Sequence, residues 1–388
     1  MSRRSTAGLV AAGFALTALV YGLARFAYGL LLPQIRAELS LSTLAAGWIG
    51  SAAFATYCIG ILAAFLAVPR WGPRVVAALA GLCATVGLAL AGLAGSALAL
   101  GAAIALAGIS TGLASPPLAA AVSRHVTDAG RPLANGAINA GTAAGIILSG
   151  VAALAFAAAW RELYFGFAGI GAAVTLWLWR AIPAQVDEGG APSGLQLRRH
   201  GLVPLGLAAL AMGGASTAIW TFGADILREE LGFAGNRIAL AWIVLGAAGL
   251  AGLVTGVATD RLGLAHVHRL SLALMAVAVI CLAAGGAAAI LPYFAMGLFG
   301  AGYIISSGTL LLWGITLFPD RADLGLGLPF LMIAAGQTAG APAFGALLDI
   351  AGAPVALAAA ALLMAGAALP APACHGVVTA TADPTCAS

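Results

Sequence analysis

The sequence predicts an all-α membrane protein of twelve transmembrane helices in two pseudo-symmetric six-helix bundles. Hydrophobic residues make up 62% of the 388 positions and charged residues 8%, against about 25% charged in a soluble chain. So little charge cannot cover an aqueous surface, and most of the outside must face lipid. Apolar runs long enough to cross a bilayer core of about 30 Å recur along the whole chain. The chain is also written twice. Arg36-Ala37-Glu38-Leu39 returns as Arg228-Glu229-Glu230-Leu231, Gly141-Thr142-Ala143-Ala144-Gly145 as Gly336-Gln337-Thr338-Ala339-Gly340, and Arg70-Trp71-Gly72 as Arg261-Leu262-Gly263, each about half a chain later. Two copies of one apolar unit imply a transporter with a cavity between its halves.

Breaks at charge, Gly and Pro place the first six spans near 9–32, 44–68, 75–94, 97–120, 134–158 and 163–182. The last six fall near 202–226, 238–258, 267–289, 291–317, 325–348 and 354–373. The first run is too long for a signal-peptide core and lacks a convincing cleavage site, so it reads as a retained helix. The expected organisation is an N-terminal bundle over 1–182, a polar linker over 183–200, a C-terminal bundle over 201–373 and an unstructured tail over 374–388. With the N-terminus inside, twelve arginines fall on the inner side and four (Arg36, Arg161, Arg228 and Arg237) on the outer side. That asymmetry is the positive-inside pattern. Both termini are then cytoplasmic. The two copies share one orientation, and the repeat axis runs along the membrane normal.

Other function classes find little support. There is no lysine, and the 17 arginines are dispersed among short loops, so the net charge of +4 points to no nucleic-acid partner. Cys58, Cys83 and Cys281 lie in apolar segments and Cys374 and Cys386 in the tail, without metal-ligand spacing. His125, His200, His266, His268 and His375 read as loop or tail residues, and no phosphate-binding glycine loop occurs. No enzyme, cofactor or metal site is expected.

Gly256-x-x-x-Asp260-Arg261-x-Gly263 follows span eight and opens a basic loop. With the twelve spans, the six-plus-six repeat and the central linker, it resembles the loop signature of the major facilitator superfamily over essentially the whole chain. The first-half copy, Pro69-Arg70-Trp71-Gly72-Pro73-Arg74, has Pro69 where that family usually has an acid. Proton-driven drug exporters of the family usually carry an arginine in span four and a Gly-Pro pair in span five. Here span four has none, and Gly141 and Gly145 occur without the proline. The stretch Tyr21-Gly22-Leu23-Ala24-Arg25-Phe26-Ala27-Tyr28, then Leu32-Pro33, is similar to the start of a bacterial subgroup labelled YbfB/YjiJ-like. The resemblance implies alternating access between rocking halves. It implies that Asp260, with Gly256, Arg261 and Gly263, forms a cytoplasmic gate by engaging the N-terminal end of span five near Pro132 to Asn135.

Arg25 is the informative residue. It lies about 7–8 Å beyond the middle of span one, and a charge at that depth is by default functional. Thr17, Tyr21, Arg25 and Tyr28 share one helical face. Arg25 is expected either to bind an anionic group of the substrate, helped by Tyr21 and Tyr28, or to snorkel outward and pair with Asp225 or Asp349. The repeat maps Arg25 to Thr217 and Tyr28 to Trp220. Asn139 and Thr142 of span five and Gln337 of span eleven complete the expected cavity lining. Asp225 and Asp349 are the candidate ion-pair or proton sites, because no acid lies at mid-membrane.

The expected protein is a monomeric secondary or facilitative transporter of the bacterial cytoplasmic membrane. It moves a small organic solute, with Arg25 tilting the choice toward an anion. The lipid bilayer is its other partner, and protons are an open choice of coupling ion. The alternatives are efflux of hydrophobic compounds and a receptor that kept the fold without transport.

Overall fold

The computed structural model describes residues 3–156, 159–184, 199–319 and 321–372. Most of the expected linker 183–200 and the whole tail 374–388 lie outside them. Ten helices are long and apolar enough to cross a membrane, and two of these, Thr43–Leu93 with 51 residues and Leu324–Ala367 with 44, are about twice the necessary length. Each is broken by one glycine: Gly72 at φ 75°, ψ 164° and Gly352 at φ 77°, ψ 170°. A side chain is strongly disfavoured there, and Pro73 and Pro354 fall in the first turn of the helix that follows, where a missing N–H is tolerated. Counting each broken helix as two gives the twelve spans. Gly263 (φ 83°, ψ 147°) makes the matching turn between spans eight and nine, so the glycine of the repeated Arg-x-Gly motif is a helix breaker in both halves.

Three spans are irregular. Span one runs from Arg3 to Leu39 with a π-helical stretch at Ala18–Phe26, whose wider turn is closed by the Ala27 N–H bonding the Gly22 carbonyl. Span seven breaks between Leu202–Trp220 and Gly223–Glu229. Span eight passes from Gly235–Gly249 through a 3₁₀ stretch, Leu250–Val254, into Thr255–Leu262. Helical irregularities of this kind collect at functional sites.

The repeat is realised in packing. Gly141 and Gly145 press span five onto the carbonyls of Phe14 and Ala18, and Gly336 and Gly340 press span eleven onto those of Leu210 and Gly214. Span five thus lies on span one as span eleven lies on span seven, close enough that a Cβ has no room.

The two sets of six meet along three seams. Spans two and eleven stay together along their length: the Ser51 hydroxyl donates to the Thr338 carbonyl at 2.6 Å, the Cys58 thiol lies 3.8 Å from the Leu331 carbonyl, and Phe65 abuts Gly327. Spans one and seven meet at Gly29 and Trp220. Spans five and eight meet at Gly150 with Ile243 and at Ile147 with Gly246. Toward the other end of these two spans, a Cβ added at Gly136 or at Gly256 would meet no atom within 4 Å. The contacts between the halves are densest toward the end bearing Arg36, where Arg36 of span one pairs with Asp225 of span seven.

The exterior is apolar. Leu66, Leu98, Val203 and Leu362 are each more than 60% exposed. An aqueous surface does not carry so many exposed leucines and valines, whereas a lipid-facing one requires them. The protein is a multi-pass membrane protein.

Candidate functional site

Arg25 is 7% exposed, and its guanidinium sits in an aromatic cage. Its Cζ lies 4.6 Å from the Tyr57 ring centre, 5.0 Å from Phe26, 5.1 Å from Phe54 and 5.7 Å from Tyr21. Nη2 donates to Oε1 of Gln337 across the seam. Nε is buried without an acceptor. Among the described residues no carboxylate lies within ion-pairing distance of Arg25. Ring faces attract a cation at about 0.5–2 kcal/mol each, while burying an ion costs several kcal/mol. The cage and one neutral oxygen therefore hold Arg25 without neutralising it.

Gln337 is fully buried and anchored from its other end. Its Nε2 donates to Ser216 Oγ at 3.1 Å and to Tyr303 Oη at 3.4 Å. Both amide hydrogens face acceptors, so the carbonyl oxygen is the atom presented to Arg25. Spans one, seven, ten and eleven thereby join in one buried polar cluster. Tyr21 extends it, with Oη 3.3 Å from Tyr57 Oη and 3.2 Å from Ser115 Oγ. Beside it, Phe26 stacks on Trp220 across the seam (centroids 3.8 Å apart, planes at 22°), and Tyr303 meets Trp220 edge-on at 5.0 Å.

Of the expected cavity residues, Tyr21, Arg25, Trp220 and Gln337 come together. Tyr28 does not join them: its hydroxyl donates to the Ala46 carbonyl of span two at 2.9 Å. A one-face stripe assumes regular α-helical spacing, and the π-helix between Thr17 and Tyr28 removes it. Thr217 turns back to the Gly214 carbonyl at 2.7 Å, and its neighbour Ser216 enters the cluster instead. The repeat register explains this. Ala18 and Gly214 take equivalent places against span five and span eleven, 196 positions apart (214 − 18), whereas Arg36 and Arg228 are 192 apart (228 − 36). About one helical turn is lost between these landmarks, so the offset read at the helix ends misplaces the middle. Asn139 is exposed and Thr142 half-buried, both on the face of span five opposite the exposed ridge of Leu133, Leu148 and Val151. Sequence reasoning missed Phe26, Phe54, Tyr57, Ser216 and Tyr303; of these, Tyr303 shares a helical face with Ser306 and Ser307, the one signal that could have found it.

The carboxylates are engaged elsewhere. Asp225 pairs with Arg36, which also donates to Thr43 Oγ1 at 3.0 Å. Asp349 accepts the Leu44 N–H at 3.2 Å. Neither touches Arg25, so the expected clasp between Arg25 and these acids is replaced by a separate one at the Arg36 end. Asp260 is exposed and makes no ion pair or hydrogen bond among the described residues, and Arg261 is exposed beside it. His268 corrects the sequence reading of the histidines. It is fully buried in the helix Leu264–Ala283, with Nε2 3.1 Å from the Ala367 carbonyl and its ring edge-on to Trp313.

The sequence profile of the Major Facilitator Superfamily matches residues 14–328. The chain belongs to the Major Facilitator Superfamily. Solved members share the fold over nearly the whole chain. A nucleoside transporter, NupG, in a D323A mutant form, aligns at TM-score 0.79 and 13% identity over 93% of this chain and 98% of its own. A D-xylose–proton symporter aligns at 0.76 and 14% over 95% and 97%, and the E. coli xylose transporter XylE, in a partially occluded inward-open conformation, at 0.77 and 13% over 94% and 97%. No curated protein sequence matches the chain. At these identities the likeness to other Major Facilitator Superfamily transporters shows the fold, and the chemistry of the site rests on this chain's own residues.

Proposed function

We propose that the protein is an alternating-access transporter of the bacterial cytoplasmic membrane that moves a small organic anion, and that Arg25 binds its anionic group. Two six-helix bundles, 1–182 and 201–373, rock about this site. The observation that carries the reading is the placement of Arg25: a buried cation at the seam between the halves, lacking a counter-ion and with one N–H unfilled. A charge kept there against its desolvation cost calls for a ligand of opposite sign. Xylose and nucleosides are uncharged, and nothing in their cases requires an unpaired guanidinium here. The arginine asymmetry puts the Arg36 end outside and both termini in the cytoplasm. In this reading the structure is an inward-facing state, supported by the Arg36–Asp225 clasp and by an Asp260 that makes no ion pair among the described residues. A monomer contains the whole site.

Among the described residues Arg25 is the only charge in the site, so proton coupling would run through Asp225 or Asp349, away from it at the Arg36 end. Flux in proteoliposomes decides the matter. Organic anions should show saturable transport, and Arg25→Gln should reduce it at least about tenfold, a loss of about 1.4 kcal/mol of binding or barrier energy, with the thermal midpoint little changed. Full transport by Arg25→Gln would refute the proposal. Arg25-independent movement of hydrophobic cations would favour efflux, and absence of all flux would favour a receptor.

A further inference from the structure

Gln337 presents to Arg25 the oxygen of a planar carboxamide, a group of nearly the same shape as a carboxylate. It meets Nη2, and the adjacent Nε–H is buried without a partner. Nε and Nη2 form one edge of the guanidinium, the edge that accepts the two oxygens of a carboxylate side by side. The carboxamide fills half of that edge and supplies no charge. Its nitrogen is held by Ser216 and Tyr303, which fixes the carbonyl oxygen, so the guanidinium leaves the carboxamide by a shift of the Arg25 side chain while Gln337 keeps its own bonds.

The surroundings restrict the ligand further. The four rings around the guanidinium, together with Ser216, Tyr303 and Gln337, carry no charge. One positive charge neutralises one negative charge, and a second negative charge buried here would cost several kcal/mol unpaired. That disfavours dicarboxylates and phosphate monoesters. The walls, Phe26, Phe54, Tyr57 and Trp220, are aromatic; their faces meet Arg25 or one another here, and an apolar body would enter by parting the Phe26–Trp220 stack.

Building on the Arg25 reading above, we propose that the substrate is a monocarboxylate with an apolar body, and that Gln337 is an internal competitor which the carboxylate displaces from Arg25. A competitor occupying the site most of the time lowers apparent affinity by the fraction of time the site is free. Removing it therefore strengthens binding, an effect opposite to that of losing a structural or ligand-contacting residue.

The experiment measures thermal stabilisation of the purified full-length protein by hexanoate, benzoate and phenylacetate. The comparison ligands are benzamide, phthalate and phenyl phosphate. The three monocarboxylates should stabilise it and the comparison ligands should not. Gln337→Met should tighten benzoate binding about five- to tenfold, and Gln337→Glu, which supplies a fixed internal carboxylate, should abolish it. Gln337→Ala guards against a packing artefact of Met. Weaker or unchanged binding in both Met and Ala variants overturns the proposal, as does the failure of every monocarboxylate to stabilise. If the dianions stabilise as well as benzoate and Arg25→Gln removes the effect, Arg25 remains an anion site and only the monocarboxylate assignment fails. If Arg25→Gln leaves stabilisation by all anions intact, both readings fail.

Discussion

Arg36 in span one and Asp225 in span seven form an ion pair across the seam between the two halves. Their side chains are 23% and 7% exposed, and Arg36 also reaches Thr43 Oγ1 and the Leu41 carbonyl. Asp349 adds a second tie through the Leu44 N–H. The pair closes the end of the molecule farthest from Asp260. The fold therefore separates two arginines that the sequence left in competition for one acid: Arg36 takes Asp225, and Arg25 bonds Gln337.

Breaking this clasp should open that end. Removing one partner of a fully buried pair costs about 3–5 kcal/mol, and the partial exposure of Arg36 reduces this to about 1–2 kcal/mol. Asp225→Asn should raise the labelling rate of a cysteine placed at Thr221, which is 1% exposed beneath the clasp. The test uses an impermeant maleimide on a background lacking native cysteines. The exchange Arg36→Asp with Asp225→Arg should restore protection. Unchanged labelling in Asp225→Asn would show that the pair does not hold the closure.

Gly29 gives an independent handle on the same closure. Its backbone lies directly against the Trp220 carbonyl, and an added Cβ would overlap backbone rather than a movable side chain. Gly29→Val should therefore fold as a membrane protein, since the clash lies between halves and not within one, but should be unable to close at the Arg36 end. Transport should fall to background while labelling at Thr221→Cys rises. Normal transport by Gly29→Val would mean that the two helices do not need this approach.

The architecture was legible in the sequence because it depends on long averages. Span length and the Arg-x-Gly repeats survive local irregularity, and Gly72 and Gly263 break helices at matching places. The candidate site was legible only at Arg25, Tyr21, Trp220 and Gln337. The π-helix at Ala18–Phe26 and the break after Trp220 shift the register in the two helices that matter most. Hence Ser216 stands where Thr217 was expected, Tyr57 arrives from a helix without a polar stripe, and Tyr303 belongs to a stripe with Ser306 and Ser307 that reads as helix–helix bonding. A contact between distant helices leaves no periodic trace in either one.

Asp260 should matter for rate and not for the stability of the state described here. It is exposed and unpaired among the described residues, so Asp260→Asn removes no contact from this conformation. The thermal midpoint should shift by less than about 1 °C per few tenths of a kcal/mol lost. If the family-like gate forms in the opposite state, the same variant should slow turnover several-fold without changing affinity. A large drop in midpoint, or an unchanged turnover rate, would remove Asp260 from the gate.

Tyr28 and Tyr57 separate the site seen in the fold from the one expected from spacing. Tyr28 donates its hydroxyl to the Ala46 carbonyl, a bond between spans one and two of the same half, away from the guanidinium. Tyr57 lies with its ring centre 4.6 Å from Arg25 Cζ. Tyr28→Phe removes a second donor from a helix carbonyl that keeps its Gly50 N–H, and should cost about 0.5–1 kcal/mol of stability, with benzoate affinity unchanged within about twofold. Tyr57→Leu keeps an apolar side chain but removes a ring face worth about 0.5–2 kcal/mol to the buried cation. That loss acts on the charged site, so affinity should change at least threefold, along with stability. Equal changes in affinity for the two variants would return Tyr28 to the site and place the centre of binding nearer the Arg36 end.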